Sequence, residues 1–404
     1  MILVGVLKEE LRLLLSGIKK IFQSRRYRIM IKVTHIITSL NSGGAESMLY
    51  KLLKYSNSKK YTNEVICLLD KGIYGEKIEK MGIKVTVLNL NKGNIIGALY
   101  KARKVCEKSD IVNSWLYHSD LVGFFVSKVL LRKKLIWNVR HSNLDKSANK
   151  KTTLLIVKLN AMLSRYVDCI TYNSNKANYV HNQIGYTGNR SVVLSNGFEL
   201  NEFTPNNLSR EKLHKSFDIN DSEKLLITVG RWDPQKDYEN LLKSLSILKQ
   251  NSINFKLIMV GTNLDWNNTA LNKLIEGYNL VENVLLLGRQ DNIPELLSAA
   301  DIYVSSSLGE SFSNSIGEAM ACQLPCIVTD VGDSAIIVGD CGEIVPSQNS
   351  EELSNALSYY IKMDNSNLQR IGRKARKRVV ENYDIINIAQ LFESNYTETF
   401  RISR

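Results

Sequence analysis

From residue 31 onward, short apolar runs alternate with longer stretches whose apolar residues recur at helical spacing. Ile31–Thr38 (IKVTHIIT) reads as a strand, and Ala45–Tyr55 after it reads as an amphipathic helix. Further strands are expected at Glu64–Leu69, Ile83–Leu90, Ile111–Trp115, Leu135–Arg140, Asp168–Tyr172 and Ser191–Leu194, several of them separated by helical stretches. That rhythm predicts a mostly parallel sheet with helices on both faces. Ser195–Arg210 breaks it with Gly197, Pro205 and a cluster of Asn, and marks a domain boundary. The pattern restarts with Leu225–Val229, Phe255–Val260, Val284–Leu287, Ile302–Ser306, Cys326–Thr329 and Glu343–Val345, with helices between them, notably Tyr238–Lys249 and Ser315–Cys322. Asn367–Phe400 reads as a helical segment, rich at first in Arg and Lys. Two α/β domains of similar size suit a chain of 404 residues, which is long for one core.

Charge adds a second layer. The chain is 44% hydrophobic, as in an ordinary globular protein, yet carries a net +13. Such an excess points to an anionic partner: a nucleic acid, an acidic membrane surface or a phosphorylated ligand. No run of Lys and Arg interleaved with aromatics and no helix-turn-helix or zinc pattern is present, which argues against nucleic acid. The six cysteines sit in apolar contexts without a CxxC pair and read as buried free thiols in a reducing compartment. The five histidines form no ligand cluster, so no metal site is expected. Residues 1–28 hold seven basic and two acidic residues. Charges interrupt their apolar stretch too early for a spanning helix, and no signal-type cleavage site follows. A helix lying in an anionic membrane surface and a helix packed on the protein both fit this segment.

Three segments carry chemistry. Asn41-Ser42-Gly43-Gly44-Ala45-Glu46 follows the first strand and opens a helix, so its backbone can turn tightly and offer free N–H groups. Arg231 and Lys236, in Gly230-Arg231-Trp232-Asp233-Pro234-Gln235-Lys236-Asp237, stand at the carboxyl end of the second domain's first strand. Two cations at that spacing can clamp a diphosphate. Glu310 lies in a loop of small residues, and Glu318 lies inside an otherwise apolar helix, where it needs a partner. A ribose diol is one such partner; a Lys or Arg from another helix is the other.

Taken together these segments resemble the retaining glycosyltransferases of family 4. The similarity is carried by Glu310 and Glu318, with seven residues between them, inside SSLGESFSNSIGEAMACQLPCIVTDVGD. It is also carried by Gly43-Gly44-Ala45-Glu46, Ser195-Asn196-Gly197-Phe198, Gly230-Arg231 with Lys236, Arg140-His141-Ser142-Asn143 and Trp115-Leu116-Tyr117-His118-Ser119-Asp120, over residues 31–400. Ser311 and Gln323 stand where the family pattern usually has Gly, and Ser313 where it has Pro.

The resemblance implies a GT-B fold: two Rossmann-like α/β/α domains facing across a cleft. Residues 29–203 would form the acceptor-side domain and 204–380 the nucleotide-sugar domain. Residues 381–404 would form a C-terminal helix that packs back on the first domain, and 1–28 a basic extension. It also implies residue roles. Glu318 would hold the donor ribose, Arg231 and Lys236 would neutralise the diphosphate, and Glu310 would lie near the donor sugar. His118 would touch the hydroxyls of the transferred sugar. Asn314 and Ser315 would present backbone groups, and Gly43 and Gly44 would admit the phosphate or the acceptor.

The implied activity is metal-independent hexosyl transfer from a nucleoside-diphosphate sugar, UDP-linked, with no cofactor beyond this donor. The acceptor would be an undecaprenyl-diphosphate-linked or other lipid-linked glycan of capsule, O-antigen or similar surface polysaccharide. The enzyme would be cytoplasmic and peripheral to the inner face of the membrane, meeting it through basic residues such as Lys128, Arg132, Lys133 and Lys134 beside the apolar run Leu121–Val126. A sugar-nucleotide epimerase of similar shape, a nucleic-acid-binding protein and a non-catalytic partner subunit are the rival expectations.

Overall fold

The computed structural model describes residues 30–90, 93–146, 149–217, 220 and 223–402; the basic segment 1–28 lies outside them. The first half runs β1 (Ile31–Ile37), α1 (Gly44–Lys54), β2 (Tyr61–Cys67), α2 (Gly72–Lys80), β3 (Val85–Val87), α3 (Ile95–Cys106), β4 (Ile111–Trp115), α4 (Tyr117–Phe124), β5 (Lys134–Val139), α5 (Lys151–Leu163), β6 (Cys169–Tyr172), α6 (Asn175–Gln183) and β7 (Ser191–Val193). A π-helical turn, Phe125–Leu130, extends α4, and a 3-10 turn, Ser164–Tyr166, extends α5.

The second half runs α7 (Asn207–Ser216), β8 (Lys224–Val229), α8 (Tyr238–Gln250), β9 (Phe255–Val260), α9 (Thr269–Gly277), β10 (Val284–Gly288), α10 (Ile293–Ala299), β11 (Ile302–Ser305), α11 (Asn314–Ala321), β12 (Cys326–Thr329), α12 (Ser334–Val338), β13 (Gly342–Val345), α13 (Ser350–Lys362), α14 (Asn365–Tyr383) and α15 (Ile385–Arg401).

Each half builds a parallel sheet. The strand order is β3-β2-β1-β4-β5-β6-β7 in the first and β10-β9-β8-β11-β12-β13 in the second. Strands such as β4 (IVNSW) and β11 (IYVS) are buried along their whole length because helices cover both faces. The two α/β/α layered domains face each other across a cleft, as in the GT-B architecture. In each, the order reverses beside the first strand, between β1 and β4 and between β8 and β11. A crevice opens outside the carboxyl ends of the strands at such a point. The loops and helix starts that follow those four strands carry Gly43–Gly44, His118, Arg231–Lys236 and Glu310.

The expected C-terminal helical segment is two helices. Asp384 leaves the helical region, and its side chain accepts from the Ile386 amide, capping α15 as α14 ends. The break turns the chain back to the first domain. Ile385, Ile388, Ala389, Phe392 and Tyr396 join a core with Ile31, Val33 and Trp115. Phe392 stacks on Trp115 at 6.1 Å between ring centroids.

The chain therefore passes between the domains twice, and the two passages are bonded to each other. Phe198 N donates to Tyr383 O at 2.8 Å and Ile385 N donates to Phe198 O at 3.1 Å. Gly317 in α11 admits the Phe198 ring. A Cβ there would lie 2.1 Å from it, so this helix position has room only for glycine.

Gln323 shows why the family pattern prefers glycine at its position: the residue has φ 65° in the turn from α11 to β12. A left-handed conformation strains a non-glycine residue by roughly 1–2 kcal/mol, more than the roughly 0.5–1 kcal/mol that glycine's added chain entropy costs. Gln323→Gly is expected to raise stability by about 0.5–1 kcal/mol in denaturant titration. An unchanged or lower midpoint would show that the glutamine side chain offsets its own strain. The six cysteines are all free and buried.

Candidate functional site

The first-domain wall begins at the turn into α1. Gly43 caps the helix with its backbone alone, and Glu46 in the first turn folds back over it. A Cβ on residue 43 would lie 2.3 Å from the Glu46 carboxylate. The positive end of α1 therefore already faces a carboxylate, which disfavours a phosphate at this spot. Burial raises the Glu46 carboxyl above its ordinary pKa.

His118 stands in the first turn of α4. The residue that launches this helix, Leu116, holds φ 71° and ψ 157°, a region that costs a non-glycine residue roughly 1–3 kcal/mol and clusters at functional sites. Asp120 anchors the same turn from below. It is fully buried, accepts from Ser114 Oγ at 2.6 Å, and burial pushes its carboxyl well above the usual range. His118 itself is exposed, and partial desolvation lowers its pKa.

The loop after β5 completes this wall. His141 faces the cleft; its pKa is lowered by burial and further by Arg231 across the gap, while the Asn143 backbone opposes. Arg140 beside it is buried, donates to Leu194 O and Asn196 Oδ1, and lies over Trp115 and Phe392 at 4.9 and 5.3 Å from the ring centroids. Among the described residues no carboxylate pairs with it, and burial pushes its pKa down to about 9.

The second-domain wall is set by the loop after β8. Asp233 accepts from the Gln235 amide and starts a short turn with Pro234 at its first position. Ser306 Oγ donates to Lys236 O and Asp237 O, tying this loop to the end of β11. The expected cation pair is not two free charges. Arg231 is open to solvent, with its Nε on Asp233 Oδ2 at 2.9 Å. Lys236 Nζ sits on Glu310 Oε1 at 2.5 Å, and Ser307 Oγ donates to the same oxygen at 3.0 Å. Ser313 caps α11 without a side-chain hydrogen bond, which leaves the helix's first amides open. Asn314 lines the cleft at that end. Ser315 Oγ accepts from the buried Tyr303 hydroxyl at 2.7 Å, so its side chain points into the domain.

Glu318 lies one turn deeper. Its nearest cation is Lys51 of α1, in the other domain, at 4.0 Å. Both readings of Glu318 thus meet at one carboxylate: it faces a lysine, yet at the limit of an ion pair. Burial, opposed by Lys51, raises its pKa, with Glu202 and Glu199 adding to the rise.

The walls meet across a cleft of ≈ 590 Å³ that Gly43, Gly44, His118, Arg231, Glu310 and Asn314 all line. Lys236 touches it through Glu310, whereas Ser315 and Glu318 lie behind it. A Cβ on residue 44 would come within 3.5 Å of Asn314 Nδ2, so the glycine turn nearly touches the far wall.

Side chains hold the walls together. Asn196 Nδ2 donates to Asn314 Oδ1 at 2.7 Å, and Ser142 Oγ donates to Glu310 O at 2.9 Å. Ser311, where glycine is usual, donates to Asn173 Oδ1 at 2.7 Å and lies 2.9 Å from Ser174 Oγ. Asp333 crosses furthest. Its carboxylate accepts from the Asn175 and Lys176 amides at 2.7 and 2.9 Å, capping α6 of the first domain from the second.

Sequence reading placed Glu46 in a candidate segment without a role for its side chain, and gave no role to His141 or Asp333. His141 was within reach of it, because it follows the carboxyl end of a strand, β5. Among the described residues no group of three or more His, Cys, Asp or Glu is gathered as for a metal ion.

Comparison with known proteins bears on the same halves. Residues 209–378 match the family described as glycosyl transferases group 1. N-acetyl-alpha-D-glucosaminyl L-malate synthase of Bacillus anthracis is 28% identical over 47% of this chain, which spans 49% of that protein. The UDP-Gal:alpha-D-GlcNAc-diphosphoundecaprenol alpha-1,3-galactosyltransferase of Escherichia coli is 23% identical over 74% of this chain and 78% of its own length. Among solved structures, Anabaena Alr3699/HepE in complex with UDP superposes with a TM-score of 0.80 at 22% identity, over 91% of this chain and all of its own. The chain has the GT-B fold, and its second domain is similar to the group 1 glycosyl transferases.

Proposed function

We propose that the chain transfers a sugar from a nucleoside-diphosphate sugar, UDP-linked, to a hydroxyl of a lipid-linked glycan in surface polysaccharide synthesis, with retention at the anomeric carbon. The observation that carries this reading is the asymmetry of the cleft. Cations and an uncapped helix start lie on the second-domain wall, and histidines and a glycine turn backed by a carboxylate lie on the first. A diphosphate fits the former, with its ribose toward Glu318 and its sugar toward Glu310 and the histidines. The turn at Gly43 and Gly44, already facing Glu46, suits an acceptor's hydroxyls better than a second phosphate. Residues 29–203 then serve the acceptor and 204–380 the donor, with 381–404 fastening the two.

In the reaction the bond from the anomeric carbon to the phosphate oxygen breaks, and its electron pair stays with the phosphate. Arg231 and Lys236 stabilise that charge, Lys236 by exchanging Glu310 for phosphate. The acceptor oxygen bonds to the carbon on the face the phosphate leaves, and the acceptor's proton passes to the departing phosphate oxygen. A trapped ester between sugar and a protein carboxylate would sink this front-face route. His118 and His141, both with lowered pKa, stay neutral at pH 7 and can hydrogen-bond sugar hydroxyls without adding charge.

The lipid-linked acceptor is supported by the diphosphoundecaprenol-linked acceptor named for the Escherichia coli relative. No helix among the described residues is long and apolar enough to cross a membrane; the reading places the described domains at the bilayer surface.

The test is transfer from a panel of nucleotide sugars to diphosphate-linked acceptors. Arg231→Ala and Lys236→Ala should each lower kcat by about a hundredfold or more, with melting temperature nearly unchanged. Chelation with EDTA should leave the rate intact. Activity abolished by EDTA and restored by Mg²⁺ or Mn²⁺ would overturn charge neutralisation by these two cations.

A further inference from the structure

We infer that α5 is a membrane-surface helix, seated on anionic lipid so that the cleft opens at the bilayer and receives an acceptor held there; this rests on the lipid-linked acceptor proposed above. The helix KTTLLIVKLNAML is apolar on two faces. Val157 and Ala161 are buried in the first domain's core. On the opposite side Leu155 is 68% exposed, Met162 67% and Tyr166 59%, with Leu159 between them, a stripe at steps of three and four residues along the helix and the turn that extends it. A second apolar stripe, turned away from the core, is unusual in water unless something covers it.

The charges around the stripe indicate what does. Lys151, Lys158 and Arg165 are interleaved with it and exposed, and no Asp or Glu occurs from Asn149 to Val167. Apolar side chains flanked only by cations complement an anionic lipid surface. The face continues onto the neighbouring π-helical turn through exposed Phe125 and Val129, where Phe124 contacts Tyr166 at 6.4 Å between centroids. The basic residues expected from sequence beside Leu121–Val126 are a poorer match. Lys128 and Lys134 both pair with Asp168, and Phe124 and Val126 are core.

Position links this surface to the site. Asn149 and Thr153, at the amino end of α5, line the cleft. The stripe starts at Leu155, two residues beyond Thr153. A lipid-anchored acceptor lying beside α5 would find its headgroup at the cleft mouth.

The test uses the full chain and phosphatidylcholine vesicles with or without phosphatidylglycerol. The wild type should float with the anionic vesicles at low salt and be released by high salt. Leu155→Gln combined with Met162→Gln should lower that partition about tenfold with an unchanged melting temperature. Lys151→Gln with Lys158→Gln should lower it at low salt only. A tryptophan introduced by Met162→Trp should be quenched by brominated lipid, whereas one introduced by Tyr359→Trp, on α13 of the second domain, should not.

Transfer to a water-soluble acceptor should survive the Leu155 and Met162 changes, while transfer to a vesicle-borne acceptor falls with binding. Loss of soluble transfer in the wild type would instead fault the enzymatic reading. Wild-type protein that ignores anionic vesicles would overturn the surface. So would a stripe variant that binds them as before, whether its effect is to dissociate a dimer, in which case a second copy covers the stripe, or to lower stability, in which case residues 1–29 do.

Discussion

Glu318→Gln is expected to weaken nucleotide-sugar binding about ten- to hundredfold by calorimetry while making the folded chain more stable at neutral pH. The first effect is the loss of the charge-assisted bond to a ribose hydroxyl that the proposed donor position gives Glu318, roughly 1.5–3 kcal/mol. The second follows from the raised pKa of the Glu318 carboxyl, which burial causes and Lys51 only partly opposes. A carboxyl raised on folding favours the folded chain in its protonated form. Its contribution is therefore present at low pH and lost as pH climbs through the folded value. Glutamine resembles the protonated acid at every pH, so its advantage should be seen near neutrality and fade in acid. If Glu318 served chiefly as the partner of Lys51, the substitution would destabilise the chain and leave donor binding alone.

Asp333→Ala is expected to lower transfer by about ten- to hundredfold without touching any ligand contact. Its carboxylate takes the Asn175 amide at 2.7 Å, the Lys176 amide at 2.9 Å and the Asn175 side chain at 3.2 Å. Removing it strands donors at the start of α6 and weakens the fit between domains by roughly 1.5–3 kcal/mol. Affinity for nucleoside diphosphate, which the proposed reading assigns to the second domain, should change little. The radius of gyration from small-angle scattering should rise as the cleft opens. Asp333→Asn keeps one acceptor oxygen and should fall between. Full activity with a larger radius of gyration would mean that this contact does not set the catalytic geometry.

The sheets were legible because both of their faces are covered, so stretches such as Leu257–Val260 read as unbroken apolar runs. The loops of the site were legible because they follow strand ends and carry residue types with distinctive chemistry. What lay beyond reach was every contact across the cleft. Lys51 stands in the last turn of an amphipathic helix, where a lysine ordinarily meets water; here it is 7% exposed because the second domain covers it. Asp333 follows a glycine in a loop and looks like a turn residue. Its partners are the amides of a helix far earlier in the chain, whose own cap, Ser174, already looked sufficient. Ser311 read as a loss of glycine from a pattern, whereas the structure makes it a bond to the other domain. Lys128 and Lys134 read as surface charge, and share Asp168 instead. The break at Asp384 was hidden because helical periodicity continues on both sides of a single capping residue.

The return of α15 also sets an order of assembly. A ribosome releases β1 to β7 well before β8 to β13, so the first sheet has the earlier opportunity to form. Yet Phe392, which stacks on Trp115, and Tyr396, whose hydroxyl accepts from Asn113 Nδ2 at 2.8 Å, come from the last helix of the described chain. Until that helix is made, α1 and α2 cover this face of β1 and β4 only in part. The domain synthesised first is thus the one finished last, and the second domain must emerge, and have room to fold, while the first is still incomplete.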